Sequence, residues 1–315
     1  MSYTIHRPKS REAWLDLRKG GIGSSEVGTI LGLNPYETPY QLWRKKKGLD
    51  APTPENFAMR AGHYLEDAVS LFYQDETGNE IIKSSAGDWL IINNERPFLR
   101  VSPDRTCWKR GVAKKHDNKG IVECKTTQKE IDGDSLPQHW FCQLQYQLGV
   151  AELNWGAIAW LTAGREFGYR DLTFDKDFYD WMIEDVTRFW VDCIQGNQEP
   201  LAINVEDVIL KSPRHITGKM LNADEQIIAE LAELKELREE LAALDQRKKA
   251  IEESIKMTMG DAEALVLPNT DDVLCTWKAG KDRTKFDDKR FAQEHPDMYA
   301  QYTKTTAGTR TFLIK

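Results

Sequence analysis

From residue 101 to residue 125 the chain reads Val101-Ser102-Pro103-Asp104, then a polar excursion over 109–119, then Gly120-Ile121-Val122-Glu123-Cys124-Lys125. Leu99 and Val101 on one side, and Ile121 and Val122 on the other, favour extended backbone. The excursion is rich in basic residues and bounded by Gly111 and Gly120, the pattern of a solvated hairpin loop. Folding back there sets Asp104 and Glu123 on adjoining strands. Side chains alternate along a strand, so Glu123 and Lys125 share a face and Cys124 points away. Two carboxylates and an ammonium then converge at one end of a small sheet. Hard divalent cations take oxygen ligands, and Mg²⁺ commonly binds through one or two carboxylates plus substrate phosphate. A lysine beside them could orient or deprotonate a water, or neutralise charge on a phosphate.

The short motifs also arise by accident in a chain that is 30% charged. Glu233-Leu234-Lys235 repeats the Glu-x-Lys spacing inside a helical stretch, and Pro296-Asp297 is a second Pro-Asp with no Glu-x-Lys after it. A surface hairpin with an ordinary Glu–Lys pair explains the same residues, so the rest of the chain has to decide.

Bulk charge gives no sign of nucleic acid, since 43 basic against 50 acidic residues leave a net charge of -7. Metal-binding carboxylates add negative charge, however, and basic residues cluster locally at Arg44-Lys45-Lys46-Lys47 and at Lys109, Arg110, Lys114 and Lys115. Such runs are also what a solvated face looks like. The five cysteines are scattered and never spaced C-x-x-C, which suggests reduced thiols and no zinc finger or iron–sulfur cluster. The first residues lack the apolar core of a signal peptide, and no apolar run reaches membrane-spanning length. A soluble, cytoplasmic protein with no membrane partner is expected.

Residues 10–19 predict a short amphipathic helix carrying Trp14, Leu15, Leu17 and Arg18. A flexible turn, Gly20-Gly21-Ile22-Gly23-Ser24-Ser25-Glu26, then leads into Val27, Ile30 and Leu31. Serines can cap a helix there, and exposed N–H groups attract anions, although no Walker sequence follows. Helices are expected over 39–47 and 57–77, the second with Leu65, Ala68, Val69, Phe72 and Tyr73 at helical spacing and Gly78-Asn79 as its stop. Glu66 sits at the edge of that stripe. Extended segments are predicted at 80–84, 89–92, 155–161 and 167–174, and helices at 138–150 and 177–194. Gln143, Gln145 and Gln147 interleave with apolar residues on the first of those helices, where glutamine is commonly surface.

The order helix, three strands, helix, strand between residues 57 and 161, with Glu66, Asp104 and Glu123-Cys124-Lys125 in place, resembles the PD-(D/E)xK nuclease core. Further segments narrow the match: Trp14-Leu15-Asp16-Leu17-Arg18, Ile22-Gly23-Ser24-Ser25-Glu26-Val27, Gly62-His63-Tyr64-Leu65-Glu66-Asp67-Ala68, Ser102-Pro103-Asp104 and Gln143-Leu144-Gln145-Tyr146. Together they resemble the YqaJ viral recombinase family, in the same group as phage lambda exonuclease, over residues 10–195. The implied fold is α/β, a restriction-endonuclease-like core with a central mixed sheet flanked by helices.

The implied activity is that of a Mg²⁺-dependent exonuclease, with Mn²⁺ as substitute and two ions in the site. It digests one strand of linear duplex DNA in the 5′-to-3′ direction and leaves 3′ overhangs for a single-strand annealing protein. By motif position, Asp104 and Glu123 ligate metal with the Cys124 carbonyl, and Glu66 assists a second ion. Lys125 handles the attacking water and Gln143 helps hold the site. Arg18, Ser25 and Ser102 match positions that bind the 5′-terminal phosphate, chemistry that a guanidinium, hydroxyls and turn amides suit. Met59 matches an apolar wedge that splits terminal base pairs, though it could equally cover the first turn of its helix. A ring trimer around DNA and a phage or prophage setting in a bacterial cytoplasm are further implications.

The C-terminal third lies outside that resemblance. The expected organisation is a nuclease domain over 1–198, a linker or docking segment over 199–222 and an appendage over 223–315. In the appendage Asn222, with Glu225 three residues on, predicts a capping box for a helix reaching residue 259. Its seam Leu234, Leu237, Leu241, Leu244, Ile251 and Ile255 is interrupted by Lys248 and suits a helical hairpin or coiled coil, with packing back on its own chain favoured. Strands are expected at 273–278 and 310–314 around a helix at 287–294. Two other functions use the same residues. One is a structure-selective or nicking endonuclease, because metal ligands do not set polarity. The other is a non-catalytic DNA-end-binding or assembly protein. A Cas4-like nuclease lacks support because its cysteine pattern is missing.

Overall fold

The computed structural model describes residues 2–51, 54, 56–82, 89–132, 135–306 and 308–314. Its contacts divide the chain into two units, Met1–Lys211 and Ser212–Lys315.

The first unit runs β1 (Tyr3–His6), α1 (Arg11–Lys19), β2 (Ile22–Gly23), α2 (Ser24–Ile30), α3 (Pro39–Lys46), α4 (Phe57–Thr77), β3 (Glu80–Ile82), β4 (Leu90–Asn93), β5 (Leu99–Val101), β6 (Arg105–Trp108), β7 (Lys119–Thr127), α5 (Gln138–Ala151), β8 (Trp155–Thr162), β9 (Glu166–Thr173), α6 (Lys176–Arg188) and α7 (Val205–Lys211). A wider-wound turn, Phe189–Gln195, continues α6. The main sheet has the order β3-β6-β7-β8-β9. β6 and β7 form the expected antiparallel hairpin, and β7 runs parallel to β8 through the α5 crossover.

The expected three strands between the two core helices are in fact five. β4 and β5 leave the main sheet and join β1 and β2 in a second one, order β1-β4-β5-β2. The turn expected over Gly20–Glu26 is kept only at Gly20-Gly21; Ile22–Gly23 is a short strand and α2 starts at Ser24. Ile22 is fully buried and pairs with Leu99, so burial of one apolar side chain turns the segment into a strand. At Gly21 a Cβ would lie 2.3 Å from the Phe98 carbonyl oxygen, an approach only glycine permits. The extended segment expected at 80–84 ends at Ile82, and its last two positions lie outside the described residues.

α4 begins where the Asn56 side chain accepts the Met59 N–H and stops at Gly78, which takes a left-handed φ of 70°. Val69 and Tyr73 are fully buried against Val122, Ala157 and Ala159 of the sheet, whereas Phe72 stays partly exposed and leans on Phe167. α5 covers the opposite face. It is buried nearly all round, between the sheet on one side and α2 and α6 on the other, and therefore its glutamines are interior. That overturns their reading as surface residues. Each finds partners, as burial demands; Gln145 spans the Thr173 carbonyl and the Asp175 N–H, both at 2.8 Å. The stretch after α6 holds a helix, α7, and no docking strand. Asp207 on it is buried and accepts from the Thr38 hydroxyl at 2.7 Å.

The second unit holds α8 (Glu225–Met259), β10 (Ala264–Val266), β11 (Val273–Thr276), α9 (Asp288–Glu294) and α10 (Pro296–Tyr302). Asp224, not Asn222, caps α8 by accepting the Ile227 N–H at 2.9 Å. At 1.5 Å per residue its 35 residues span roughly 52 Å. It is one helix rather than a hairpin; along its seam Leu234 is half-buried, Leu237, Leu241, Leu244, Ile251 and Ile255 are exposed, and of its residues only Met259 is buried. β10 and β11 form an antiparallel pair, of which β11 lies within the strand expected at 273–278 and β10 has no counterpart among the expected strands; residues 310–314 form no strand. No helix among the described residues is long and apolar enough to cross a membrane.

Candidate active site

The catalytic-type residues gather where the β6–β7 ladder ends. The last paired residues are Arg105 and Val122, so Asp104 and Glu123 stand just beyond the ladder on neighbouring backbones. The Cys124 N–H, having no β6 partner there, donates to Asp104 Oδ2 at 2.8 Å. Glu123 and Lys125 share a face, as strand alternation requires, and Lys125 Nζ donates to Glu123 Oε1 at 2.7 Å and to Gln143 Oε1 at 2.8 Å. Glu123 is only 2% exposed. Its Oε1 also accepts from the Gln143 amide, and its Oε2 accepts from the Gln147 amide at 2.8 Å.

Glu66 reaches the same place from α4. Its carboxylate meets His63 Nδ1 at 3.0 Å and lies 3.9 Å from the Arg105 guanidinium, which also donates to Asp67 at 2.8 Å. Burial, followed by the charges of Glu123 and Glu66, pushes the Asp104 carboxyl well above the usual carboxylate range, against the pull of Lys125 and the Cys124 N–H. Burial disfavours the Lys125 ammonium, but Glu123 and Asp104 outweigh it and hold this lysine above its ordinary value. Lys125 is therefore a proton-bearing cation at neutral pH. The Cys124 thiol is buried and pushed up by desolvation, which leaves it inert.

A cleft of about 730 Å³ opens beside these groups, lined by Arg18, Ser25, Met59, Glu66, Ser102 and Asp104, with Gln143 also in its wall. Every site residue expected from sequence therefore lies in this cleft or hydrogen-bonds to a residue of its wall. Arg18 donates to the Ser25 hydroxyl at 2.8 Å and lies 5.1 Å from the Trp14 ring centre. Ser102 lines the cleft too, but its hydroxyl donates to the Trp89 carbonyl at 2.6 Å rather than to that pair. Met59 is 48% exposed on the first turn of α4, at the rim. Sequence reasoning missed Arg11, Arg100 and Arg105, which line the same cleft, and the hydrogen bonds of Gln147. Gln147 was within reach, because a residue four beyond Gln143 shares its helix face. The arginines carried no local signal.

Among the described residues no group of three or more His, Cys, Asp or Glu side chains is drawn together as a ready metal site. The donor chemistry nevertheless fits a hard divalent cation. Glu66, Asp104 and Glu123 offer carboxylate oxygens, and their mutual repulsion at Asp104 is what a cation among them would relieve.

Against known families, residues 13–154 match the YqaJ-like viral recombinase domain. The matched span takes in every site residue from Arg18 to Gln147. Over 319 residues the chain is 28% identical to the protein YqaJ of Bacillus subtilis (strain 168), covering 97% of this chain and 94% of that one. That alignment runs on through the C-terminal third, beyond the matched domain. Among solved structures, the chain is similar to the alkaline exonuclease LHK-Exo of Laribacter hongkongensis, with 16% identity, a TM-score of 0.45 and coverage of 64% of this chain and 96% of that one. It is also similar to a phage-related exonuclease from Haemophilus somnus 129PT, with 10% identity, a TM-score of 0.40 and coverage of 56% and 96%.

Proposed function

We propose that this YqaJ-like protein is a Mg²⁺-dependent deoxyribonuclease that digests one strand of linear duplex DNA from its 5′ end and leaves a 3′ overhang for recombination by annealing. One observation carries the reading: a single cleft combines three carboxylates and a charged lysine with a guanidinium–hydroxyl pair suited to a phosphate. Within it Glu66, Asp104 and Glu123, with the Cys124 carbonyl, would hold two Mg²⁺ ions or their Mn²⁺ substitutes. The metal would supply Lewis-acid activation of water and phosphate.

The protein's own groups do the rest. Gln143 and Gln147 fix both oxygens of Glu123. Lys125, hydrogen-bonded to Glu123 and Gln143, handles the attacking water and offers positive charge to the phosphate as negative charge develops. Arg18 and Ser25 receive a terminal 5′-phosphate through charge-assisted hydrogen bonds, and Ser102 joins them only by giving up its bond to Trp89. Met59, at the rim, wedges the terminal base pairs apart. An annealing protein as partner, a ring trimer as assembly and a bacterial cytoplasm as setting belong to the same proposal.

The test is digestion of end-labelled linear and closed circular duplex in Mg²⁺, with EDTA as control. Loss of the 5′ label from linear DNA, an intact circle and a lasting 3′ strand are expected. Nicking of the circle makes the protein an endonuclease, and end binding without cleavage makes it a binding module; either outcome overturns the proposal.

A further inference from the structure

Gln147 is fully buried on α5, one turn after Gln143, and its single amide nitrogen donates in two directions. One hydrogen bond goes to Glu123 Oε2 at 2.8 Å and the other to the Ser24 hydroxyl at 3.1 Å. Only the nitrogen can face an ionised carboxylate, which sets the orientation of the amide. Its oxygen is left buried without a hydrogen-bond partner, a costly arrangement kept for the sake of the two donors. An amide holds the Oε2 side of the carboxylate without adding a charge of its own.

Ser24 opens α2 beside Ser25, the Arg18 partner, and lines the cleft. Its oxygen accepts from Gln147, so its own hydroxyl hydrogen can turn to an anion in the cleft. The result is a hydrogen-bonded path from anion through Ser24 and the Gln147 amide to Glu123.

We infer that Gln147 is a positioning residue that orients Glu123 for metal and couples that carboxylate, through Ser24, to a phosphate held by the neighbouring Arg18–Ser25 pair. This coupling rests on the nuclease reading above. The orientation of Glu123 does not need DNA.

Four full-length variants test it: Gln147→Met, Ser24→Ala, the double variant, and Gln145→Met as an equally buried control on the same helix. Mn²⁺ affinity is measured by calorimetry without DNA. The Mg²⁺ concentration for half-maximal digestion is then compared on 5′-phosphorylated and 5′-hydroxyl duplex, with melting temperature recorded throughout. Gln147→Met weakens Mn²⁺ binding by about tenfold to a hundredfold, the usual range for a partner of a metal ligand. Ser24→Ala shifts the Mg²⁺ requirement the same way, and more on phosphorylated than on hydroxyl ends. The double variant is no worse than Gln147→Met alone, since both act through one amide. Gln145→Met lowers the melting temperature and leaves Mn²⁺ affinity unchanged.

Wild-type Mn²⁺ affinity in folded Gln147→Met, or an equal loss in Gln145→Met, overturns the inference. If Gln147→Met does not fold, Ser24→Ala decides: a Mg²⁺ requirement equal to wild type on phosphorylated ends overturns the coupling. Should the wild type digest no DNA while the Mn²⁺ results come out as expected, the nuclease reading falls and the orientation of Glu123 by Gln147 stands.

Discussion

The tripeptide Glu-x-Lys occurs in both units, and its two settings differ in every respect that matters for chemistry. In β7, Glu123 and Lys125 lie on one face with nitrogen and oxygen 2.7 Å apart, in a buried site where Asp104 and two glutamine amides join them. In α8, Glu233 and Lys235 are both exposed. Residues two apart on a helix point to nearly opposite sides, so the same letters build no site there. The second Pro-Asp fares likewise, since Pro296 and Asp297 merely start α10. Spacing becomes chemistry only in the backbone conformation whose period matches it.

The contrast breaks first at the carboxylates proposed to hold metal. Asp104→Asn keeps an acceptor for the Cys124 N–H and removes the charge, so cleavage is abolished while the melting temperature stays near wild type. Glu123→Gln abolishes cleavage and also destabilises the fold, because it turns an amide hydrogen toward the donors that Glu123 now satisfies. Residual Mg²⁺-dependent digestion in both variants removes these residues from the site.

The lysines come next. Lys125→Met lowers turnover on the order of 10²–10³-fold with little change in affinity, whereas Lys235→Met leaves digestion as it is. Similar effects from the two would mean that strand geometry confers no advantage.

Smaller effects sharpen the picture within the cleft. Arg18→Ala erases most of the preference for 5′-phosphorylated over 5′-hydroxyl ends, roughly a tenfold change for each 1.4 kcal/mol of lost charge-assisted bonding. Equal slowing on both ends would make Arg18 a general backbone contact. Met59→Ala slows blunt duplex ends by a few-fold more than frayed ends, about what a fraction of one unstacking step is worth. The same factor on both substrates would identify Met59 as simple cover for its helix. The smallest effect is expected on the other side of the comparison, where Leu241→Ala in the exposed seam of α8 leaves the cleavage rate on a short oligonucleotide unchanged. A slower rate there would draw α8 into the chemistry.

Much of the main sheet was legible because its signals are local. The hairpin, α4 with its Gly78 stop and the α5 crossover each rest on a period of two or 3.6 and on turn residues nearby. The departures came where partners distant in sequence decide. Two neighbouring strands went to a second sheet because Ile22 pairs with Leu99. The glutamines of α5 are interior because partners distant in sequence receive them, Glu123 for Gln143 and Gln147, and Thr173 and Asp175 for Gln145. At the start of α8 the cap expected at Asn222 falls instead to Asp224, two residues on.

For the site, the sequence alone determined the pairing of Asp104 with Glu123 and the shared face of Glu123 and Lys125. Hairpin folding and strand alternation are properties of a single short segment. Only tertiary structure decided that Arg11, Arg18, Arg100 and Arg105 face the same cleft, and that Gln147 reaches Glu123 and Ser24 together. Those relations join α1, α2, β5, β6, β7 and α5. The packing that sets their distances belongs to no one segment, and a hydrogen bond a few tenths of an ångström too long is not formed at all.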